Sequence, residues 1–415
     1  MTSIKPRRNL GHKNWLPEQN TALKIGSRVA VIGAGIAGAT VAAELAQAGL
    51  LVSVFESAST PATAASGNIA GNCLPVVDRG NTPYSQWYWQ AWQQAHHWWQ
   101  MQDNRTACGD LSGAFKWSDN IHKQTTWQRW VDELAKPAVA QWQNPLLTTP
   151  EQWGVFFKQG GYLIPNRVIN TLLDHHNIVV NTNTSVTALQ QQDHGWNLLF
   201  SHANTAYFDA LVVTTGAQTA QLLPEWAPFL QLNKGQVTHL SIDDWQTPPQ
   251  FVLSYGGYAI PAVNGITCVG ATFEGNSALE LTDSGHAHNL TLLKQALPNA
   301  LLDDIKPIGG HTAYRAMTID HLPLVGQAVS VAQYQERIYP YILHPDTCPD
   351  LSELLAPNLW LSLGQGARGL TSSFLSASLL RAQMMATTLP VSTKLVQAVH
   401  PARIIFRQLV QNALR

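Results

Sequence analysis

The stretch Arg28-Val29-Ala30-Val31-Ile32-Gly33-Ala34-Gly35-Ile36-Ala37-Gly38 decides the fold. Arg28 to Ile32 is a short apolar run of the kind that forms a buried strand. Ala37 to Ala48 is alanine-rich and helical in character. Gly33 permits the tight turn between them. Gly35, lacking a side chain, lets a diphosphate approach the backbone, and Gly38 lets the helix pack close to the strand. The helix N-terminus that follows, at Ile36 and Ala37, brings unpaired N–H groups and a partial positive charge to the same point. Leu51 to Glu56 is a second buried strand that ends in an acid. Glu56 is placed there to accept bonds from the ribose hydroxyls of an adenosine. Strand, glycine turn, helix and acid-terminated strand form the opening of a doubly wound sheet that binds a dinucleotide. The acid does not separate FAD from NAD, because both carry this ribose.

Three later segments point to flavin. Asp209 to Ala217 is an apolar strand running into Thr214-Thr215-Gly216, with the form of a sheet element that closes over a cofactor. Trp360 to Thr371 reads as strand, glycine loop and helix start. Its residues Gly364, Gly366, Ala367, Arg368, Gly369, Leu370 and Thr371 would set a helix N-terminus against the pyrimidine end of an isoalloxazine. That end gains negative charge on reduction, and a helix N-terminus favours it. Ser66-Gly67-Asn68 follows the second strand and is small enough to pass beside the ring. Each segment alone also fits an ordinary turn; their order along the chain gives them weight. The expected cofactor is FAD.

The rest of the chain divides around this core. The expected fold class is α/β: a doubly wound, Rossmann-type FAD-binding domain and a substrate domain made of a second mixed β-sheet plus helices. Residues 1–26 are polar, carry Lys5, Arg7, Arg8 and Lys13, and read as a basic arm or linker. Residues 27–83, 155–225 and 303–415 are expected to make the discontinuous FAD-binding domain, and residues 84–154 and 226–302 the substrate domain. Tryptophans at 87, 89, 92, 98, 99, 117, 127 and 130, largely at helical spacing, suggest a helical layer over 84–153. Strands are expected at Asn177–Val180, Trp196–Phe200, Leu211–Thr214, Gln236–Ile242, Gly257–Pro261 and Gly265–Thr272. Residues 283–302 read as helix, 328–358 as an irregular proline-containing insertion, and Thr371–Ala386 as a helix.

Composition excludes several classes. The protein has 415 residues, of which 45% are hydrophobic and 12% charged. That balance suits a packed core and is the reverse of a disordered chain. The formal net charge is −1, so a nucleic-acid partner would need a local basic patch. The cysteines, Cys73, Cys108, Cys268 and Cys348, form no CxxC pair and suggest neither a zinc site nor a disulfide framework. No metal is expected. Reduced, partly buried thiols fit a cytoplasmic protein. The apolar run Val29–Ala43 is too short to span a bilayer, and no other segment resembles a membrane helix.

Taken in order, these residues resemble the glycine oxidase and D-amino-acid oxidase superfamily. The motifs are Gly33–Gly38, Glu56 with Ser66-Gly67-Asn68 behind it, Thr214–Ala217, Tyr258-Ala259-Ile260-Pro261, Gly270-Ala271-Thr272, Arg315 with Asp320-His321-Leu322-Pro323, and Gly364–Ser372. Within that superfamily the chain is most similar to the FAD-dependent domain of the bifunctional tRNA 5-methylaminomethyl-2-thiouridine biosynthesis proteins. Residues 65–75, 315–323 and His400-Pro401-Ala402-Arg403 carry that narrower likeness, and the resemblance runs from about residue 5 to the end. The family's proteins carry a methyltransferase domain ahead of this one. Only the basic arm, which resembles the family's interdomain linker, precedes the phosphate loop here. The chain is therefore expected to be either a stand-alone oxidase served by a separate methyltransferase or a part of the two-domain protein.

The resemblance implies oxidative removal of the carboxymethyl group from 5-carboxymethylaminomethyl-(2-thio)uridine at the tRNA wobble position, giving 5-aminomethyl-(2-thio)uridine and glyoxylate. It makes Arg315 the carboxylate-binding residue, a role that the arginine fork suits; the alternative is an ion pair with Asp320. It places the Tyr258 hydroxyl on the same carboxylate; the alternative is a half-buried strand tyrosine. A desolvated site keeps the amine neutral without a dedicated base, and His311 and His321 are read as structural. The tRNA is expected to meet the basic arm and the acid-free segment 386–415, which holds Lys394, Arg403, Arg407 and Arg415. Two other readings stay open: a small-molecule glycine, sarcosine or D-amino-acid oxidase, and a flavin-binding protein without turnover.

Overall fold

The computed structural model describes residues 22–413 apart from 79, 134–136, 147–151, 276–277, 304 and 344–350. Strand β1 (Arg28–Ile32) and strand β2 (Leu51–Phe55) flank helix α1 (Ile36–Gln47), as the opening stretch predicts. β1 and β2 pair in parallel, with Val29 opposite Val52 and Ile32 opposite Phe55. Both are buried on both faces, which explains their near-continuous apolar sequences. On the far side of β1 lies Ala210–Val213, also parallel. Leu355–Leu363 and the antiparallel Leu324–Val329 follow on that side, and Ile178–Asn181 adds to the free edge of β2. The chain thus leaves β1 in both directions. The crevice at the carboxyl ends of such diverging strands is where open α/β sheets bind ligands. Thr214 seals it from one side: its N–H donates to Ile32 O at 3.0 Å and its hydroxyl to the same oxygen at 2.8 Å.

Helix α2 (Pro83–Gln100) buries Trp87, Trp92 and Trp99 along one face, so the helical tryptophan spacing holds this far. Beyond it the expected helical layer is interrupted. Strand β3 (Ala114–Trp117) buries Ala114, Phe115 and Trp117, and Ala140–Gln143 and Gly154–Phe157 pair beside it. Trp117 therefore belongs to a strand, while Trp127 and Trp130 lie on helix α3 (Ile121–Glu133). These strands continue an eight-stranded, mainly antiparallel sheet through Val252–Ser254. The sheet also contains β4 (Gln231–Ser241), β5 (Tyr258–Val263), Ile266–Gly270 and, at its edge, β6 (Gly309–Met317). β6 pairs with β4 over its whole length, with Arg315 opposite Asn233. The sheet thus takes in Gly309–Met317 and Gly154–Phe157, and it crosses the divisions expected at 303 and 155.

Two further expectations need correction. Residues 331–343 are not irregular. Tyr334, Ile338, Tyr341 and Ile342 recur on one helical face, are buried, and draw Val331–Leu343 into a helix despite Pro340. The basic stripe expected in 386–415 loses Arg403 to the interior. Arg403 is 4% exposed. Its Nε and Nη2 grip the two oxygens of Asp320 at 3.1 and 2.9 Å, and its remaining donors reach Pro323 O, Val399 O and Leu322 O. Arg407 also bonds Asp320, and Lys394 is exposed. The arm 1–21 and Arg415 lie outside the described residues.

Burial alone would raise the Asp320 pKa, but the bonds and charge of Arg403 hold it below the ordinary carboxylate value. Replacing Arg403 with alanine removes the buried cation from Asp320, leaving it Thr318, the Leu322 amide and the exposed Arg407, and strips the arginine donors from the Pro323, Val399 and Leu322 carbonyls. The expected cost is about 3–5 kcal/mol, read as a lowered denaturant midpoint; an unchanged midpoint would show that the grip contributes nothing to stability.

Helix α4 (Gly369–Met384) packs against α1 and α2 and is buried almost all round, which accounts for its serines and alanines. Cys73, Cys108 and Cys268 are free and buried. Among the described residues no helix is long and apolar enough to cross a membrane.

Candidate active site

A cavity of about 980 Å³ opens between the carboxyl ends of the parallel sheet and one face of the eight-stranded sheet. Gly33, Gly35, Ile36, Ala37, Glu56, Ser66, Asn68, Thr215, Gly216, Gly364, Gly366, Ala367, Arg368, Gly369, Leu370 and Thr371 line it, together with Tyr258 and Arg315. Of the residues expected at the site, Gly38 and Gly67 do not line the cavity. Gly38 turns inward, where a side chain would run into the Gly33 carbonyl and the Thr214 hydroxyl, so it serves helix–strand packing. Gly67 sits behind its loop; a side chain there would come within 2.8 Å of the His311 ring.

The parallel-sheet wall is built for an anionic ligand. Gly33 takes φ of +104°, a conformation that favours glycine and aims the next amides into the cavity. The Ile36 N–H donates to Ser66 Oγ at 3.0 Å, tying the 62–70 loop to the first turn of α1. The Gly35 and Ala37 amides have no acceptor among the described residues. Glu56 is fixed at the mouth, its carboxylate accepting from Ala34 N–H at 3.0 Å and Ala58 N–H at 2.9 Å. The N-terminus of α4 opens on the same cavity through Gly369, Leu370 and Thr371. Orphaned amides at one helix start, a ribose-competent carboxylate beside them and a second helix start further along fit an extended dinucleotide carrying a flavin.

The opposite wall carries the groups for a substrate. Arg315 is half-buried on β6, donates from Nη1 to Thr272 O at 3.0 Å, and lies 4.4 Å from the Phe273 ring centroid. Among the described residues it pairs with no carboxylate, and Asp320 belongs to Arg403 and Arg407 instead. Burial lowers the Arg315 pKa, and nearby Tyr258 opposes that. Tyr258, on β5, is raised well above the ordinary phenol by burial, so its hydroxyl stays protonated and can donate. Asn68 bonds it; Asn68 also accepts from Cys268 Sγ at 3.1 Å and donates to Ala70 O at 2.7 Å. His311 lines the cavity but donates to Ala64 O at 2.9 Å, which holds the loop. His321 takes a positive φ of 58° in the turn, and its carbonyl accepts from the Tyr88 hydroxyl at 2.8 Å.

Gly235 of β4 stands against the Arg315 guanidinium so closely that a Cβ there would overlap it. Gly235→Ala is therefore expected to displace the fork without removing its charge. The expected result is a rise of about tenfold in KM for a carboxylated amine with little change in melting temperature; unaltered kinetics would mean that the fork has another resting place.

Sequence reasoning passed over Lys116 and read Trp127 only as part of a helical layer. Lys116 lines the cavity from β3, with its ammonium 5.0 Å from the Trp127 ring centroid. Burial first, then Arg368 and Lys123, pull its pKa down to about 8. Only its place in an alternating strand, A-F-K-W, signals that this lysine is inside.

The family model described as FAD dependent oxidoreductase (DAO) matches residues 28–383. The tRNA 5-methylaminomethyl-2-thiouridine biosynthesis bifunctional protein MnmC of Hydrogenovibrio crunogenus is 31% identical over 91% of this chain and 58% of its own length. The protein of that name from Chromobacterium violaceum is 30% identical over 92% of this chain and 60% of its own. The chain thus spans about three-fifths of these relatives. Glycine oxidase from Geobacillus kaustophilus superimposes with a TM-score of 0.69 at 17% identity, covering 90% of this chain and 98% of that one. Iminodiacetate oxidase from Chelativorans sp. BNC1 gives 0.67 at 20%, covering 90% and 99%. The two superpositions bear on the fold.

Proposed function

Because the chain belongs to the FAD-dependent oxidoreductase (DAO) family, we propose that it removes the carboxymethyl group oxidatively from 5-carboxymethylaminomethyl-(2-thio)uridine at the tRNA wobble position. The products of this reaction are 5-aminomethyl-(2-thio)uridine and glyoxylate. The observation that carries this reading is Arg315: a half-buried guanidinium in the cavity without a carboxylate of its own among the described residues. The names of the relatives supply the nucleoside to which the glycine unit is attached.

The substrate nitrogen bears a CH₂–COO⁻ arm. Arg315 takes the carboxylate with its free nitrogens, and the protonated Tyr258 hydroxyl donates a further bond to it. These contacts fix the methylene between nitrogen and carboxylate at one place in the cavity. Thr272 O and Phe273 hold the guanidinium in turn. FAD, when bound, accepts the hydride that this methylene gives up. The enclosing walls disfavour a protonated amine, so the nitrogen lone pair is available as the carbon–hydrogen bond breaks. The resulting C=N bond adds water and splits into the primary amine and glyoxylate, so that one hydride, carrying two electrons, leaves the substrate for each molecule of glyoxylate released. Gly33, Gly35, Ile36, Ala37 and Glu56 would hold the diphosphate and ribose. Asn68, Thr215, Gly216 and residues 364–371 would hold the flavin end.

The test compares flavin bleaching and glyoxylate release by the FAD-loaded protein with three substrates: carboxymethylaminomethyl-modified tRNA, free glycine and sarcosine. Fast bleaching with the tRNA and slow bleaching with the amino acids is the expected outcome. The reverse order would make the protein a small-molecule amine oxidase.

A further inference from the structure

The lining of the cavity is electrically lopsided. Among its described residues Glu56 is the one carboxylate, and it is tied to the Ala34 and Ala58 amides at the adenosine end. Against it stand Arg315, Lys116, Lys123 and Arg368. The whole protein has a net charge of −1, so this is a local concentration and not a reflection of a basic chain. A glycine unit has one carboxylate, and Arg315 accounts for it. Arg368 falls in the run assigned to the flavin end and lies over the Tyr88 ring, so Lys116 and Lys123 remain without an assigned partner.

These two are grouped, with Arg368 nearby. Lys116 is held under the Trp127 ring. Lys123 and Trp127 lie one helical turn apart on α3, which puts both on one face of that helix, above β3. Trp130, buried on the next turn, roots the helix on the sheet. Arg368 and Lys123 are both close enough to Lys116 to depress its pKa, and no carboxylate counters them there. No ion pair involves Lys116 among the described residues. Lys116 is half-buried whereas Lys123 is exposed. The charges therefore run from the half-buried Lys116 to the exposed Lys123 at the rim. A chain-like anion would follow such a track, and its charge would raise the Lys116 pKa back towards its ordinary value.

We propose that Lys116 and Lys123, with Trp127 as the wall that positions Lys116, form a phosphate subsite that takes the backbone of the polynucleotide next to the reacting uridine. The proposal rests on the functional reading above. It gives the cavity the means to distinguish a nucleotide within RNA from a free amino acid. Phosphate contacts of this kind position the substrate without reading its bases, and they weaken as salt rises.

The experiment uses the FAD-loaded full chain, Lys123→Gln, Lys116→Met and the double variant. A labelled anticodon stem-loop RNA bearing the carboxymethylaminomethyl uridine is titrated at several salt concentrations, and turnover is compared between that RNA and the same modified nucleoside without phosphate. Each single variant should weaken RNA binding about three- to tenfold and make the dependence of log Kd on log salt shallower by roughly 0.7–0.9. In the double variant the ratio of kcat/KM for RNA to that for nucleoside should fall at least about tenfold. Lys123→Gln alters an exposed residue and decides the matter even if Lys116→Met does not fold. Unchanged RNA affinity and salt slope in Lys123→Gln would overturn the subsite, as would an equal loss of nucleoside and RNA turnover in the double variant. If the unaltered protein oxidises glycine but neither the modified RNA nor the nucleoside, the functional reading itself fails, and the subsite with it.

Discussion

Arg315→Ala is expected to lower kcat/KM for a carboxylated amine by about 10²–10³-fold while the protein keeps its flavin. The magnitude follows from losing a two-pronged, charge-assisted contact in a partly desolvated place, worth about 3–4 kcal/mol. Cofactor content should not change, because Arg315 sits on β6 while the orphaned amides belong to the turn after β1. Arg315→Lys should recover only part of the loss, since an ammonium matches one oxygen where the fork matches two. The measurement is steady-state kinetics beside the visible absorbance of bound flavin. Kinetics within twofold of the unaltered protein would remove Arg315 from the substrate contact.

Gly35→Val should give a colourless protein. The Cβ added at Gly35 lies 3.2 Å from Ser66 Oγ, the atom that accepts from Ile36 N–H. The two further methyl groups of valine would crowd the mouth where the Gly35 and Ala37 amides await an acceptor. Flavin affinity is expected to fall by about 10²-fold or more. Gly38 offers the control. A side chain there meets the Gly33 carbonyl, so its substitution should unfold α1 from the sheet and lower the melting temperature. Gly35→Val should leave melting of the flavin-free form nearly unchanged. Normal flavin content in Gly35→Val would show that the loop after β1 is not the diphosphate cradle.

The part of the site closest in sequence was the most legible. β1, the glycine turn, α1 and β2 are consecutive, and each glycine has a local steric reason, so the pattern and the structure coincide there. Arg315 and Tyr258 came from motif resemblance, and the structure brings both to one wall of the cavity. Lys116 was not legible, because its position depends on β3 pairing with Val252–Ser254, a strand far along the chain. Tryptophan spacing on α2 also carried the helical reading too far, across a segment in which Ala114, Phe115 and Trp117 alternate around a lysine. Arg403 misled for a related reason. Its charge is visible in the sequence, whereas its partner Asp320, 83 residues away, is not. The helix 331–343 was hidden by Pro340 and by the prolines that follow it.

The cavity has two owners: the amides and Glu56 stand on the parallel sheet, and Arg315, Tyr258 and Lys116 on the antiparallel one. Changes on the two sheets that share no neighbours should then combine with nearly additive effects. A lineage can exchange what it oxidises by redrafting one wall, and inherit its redox partner intact in the other.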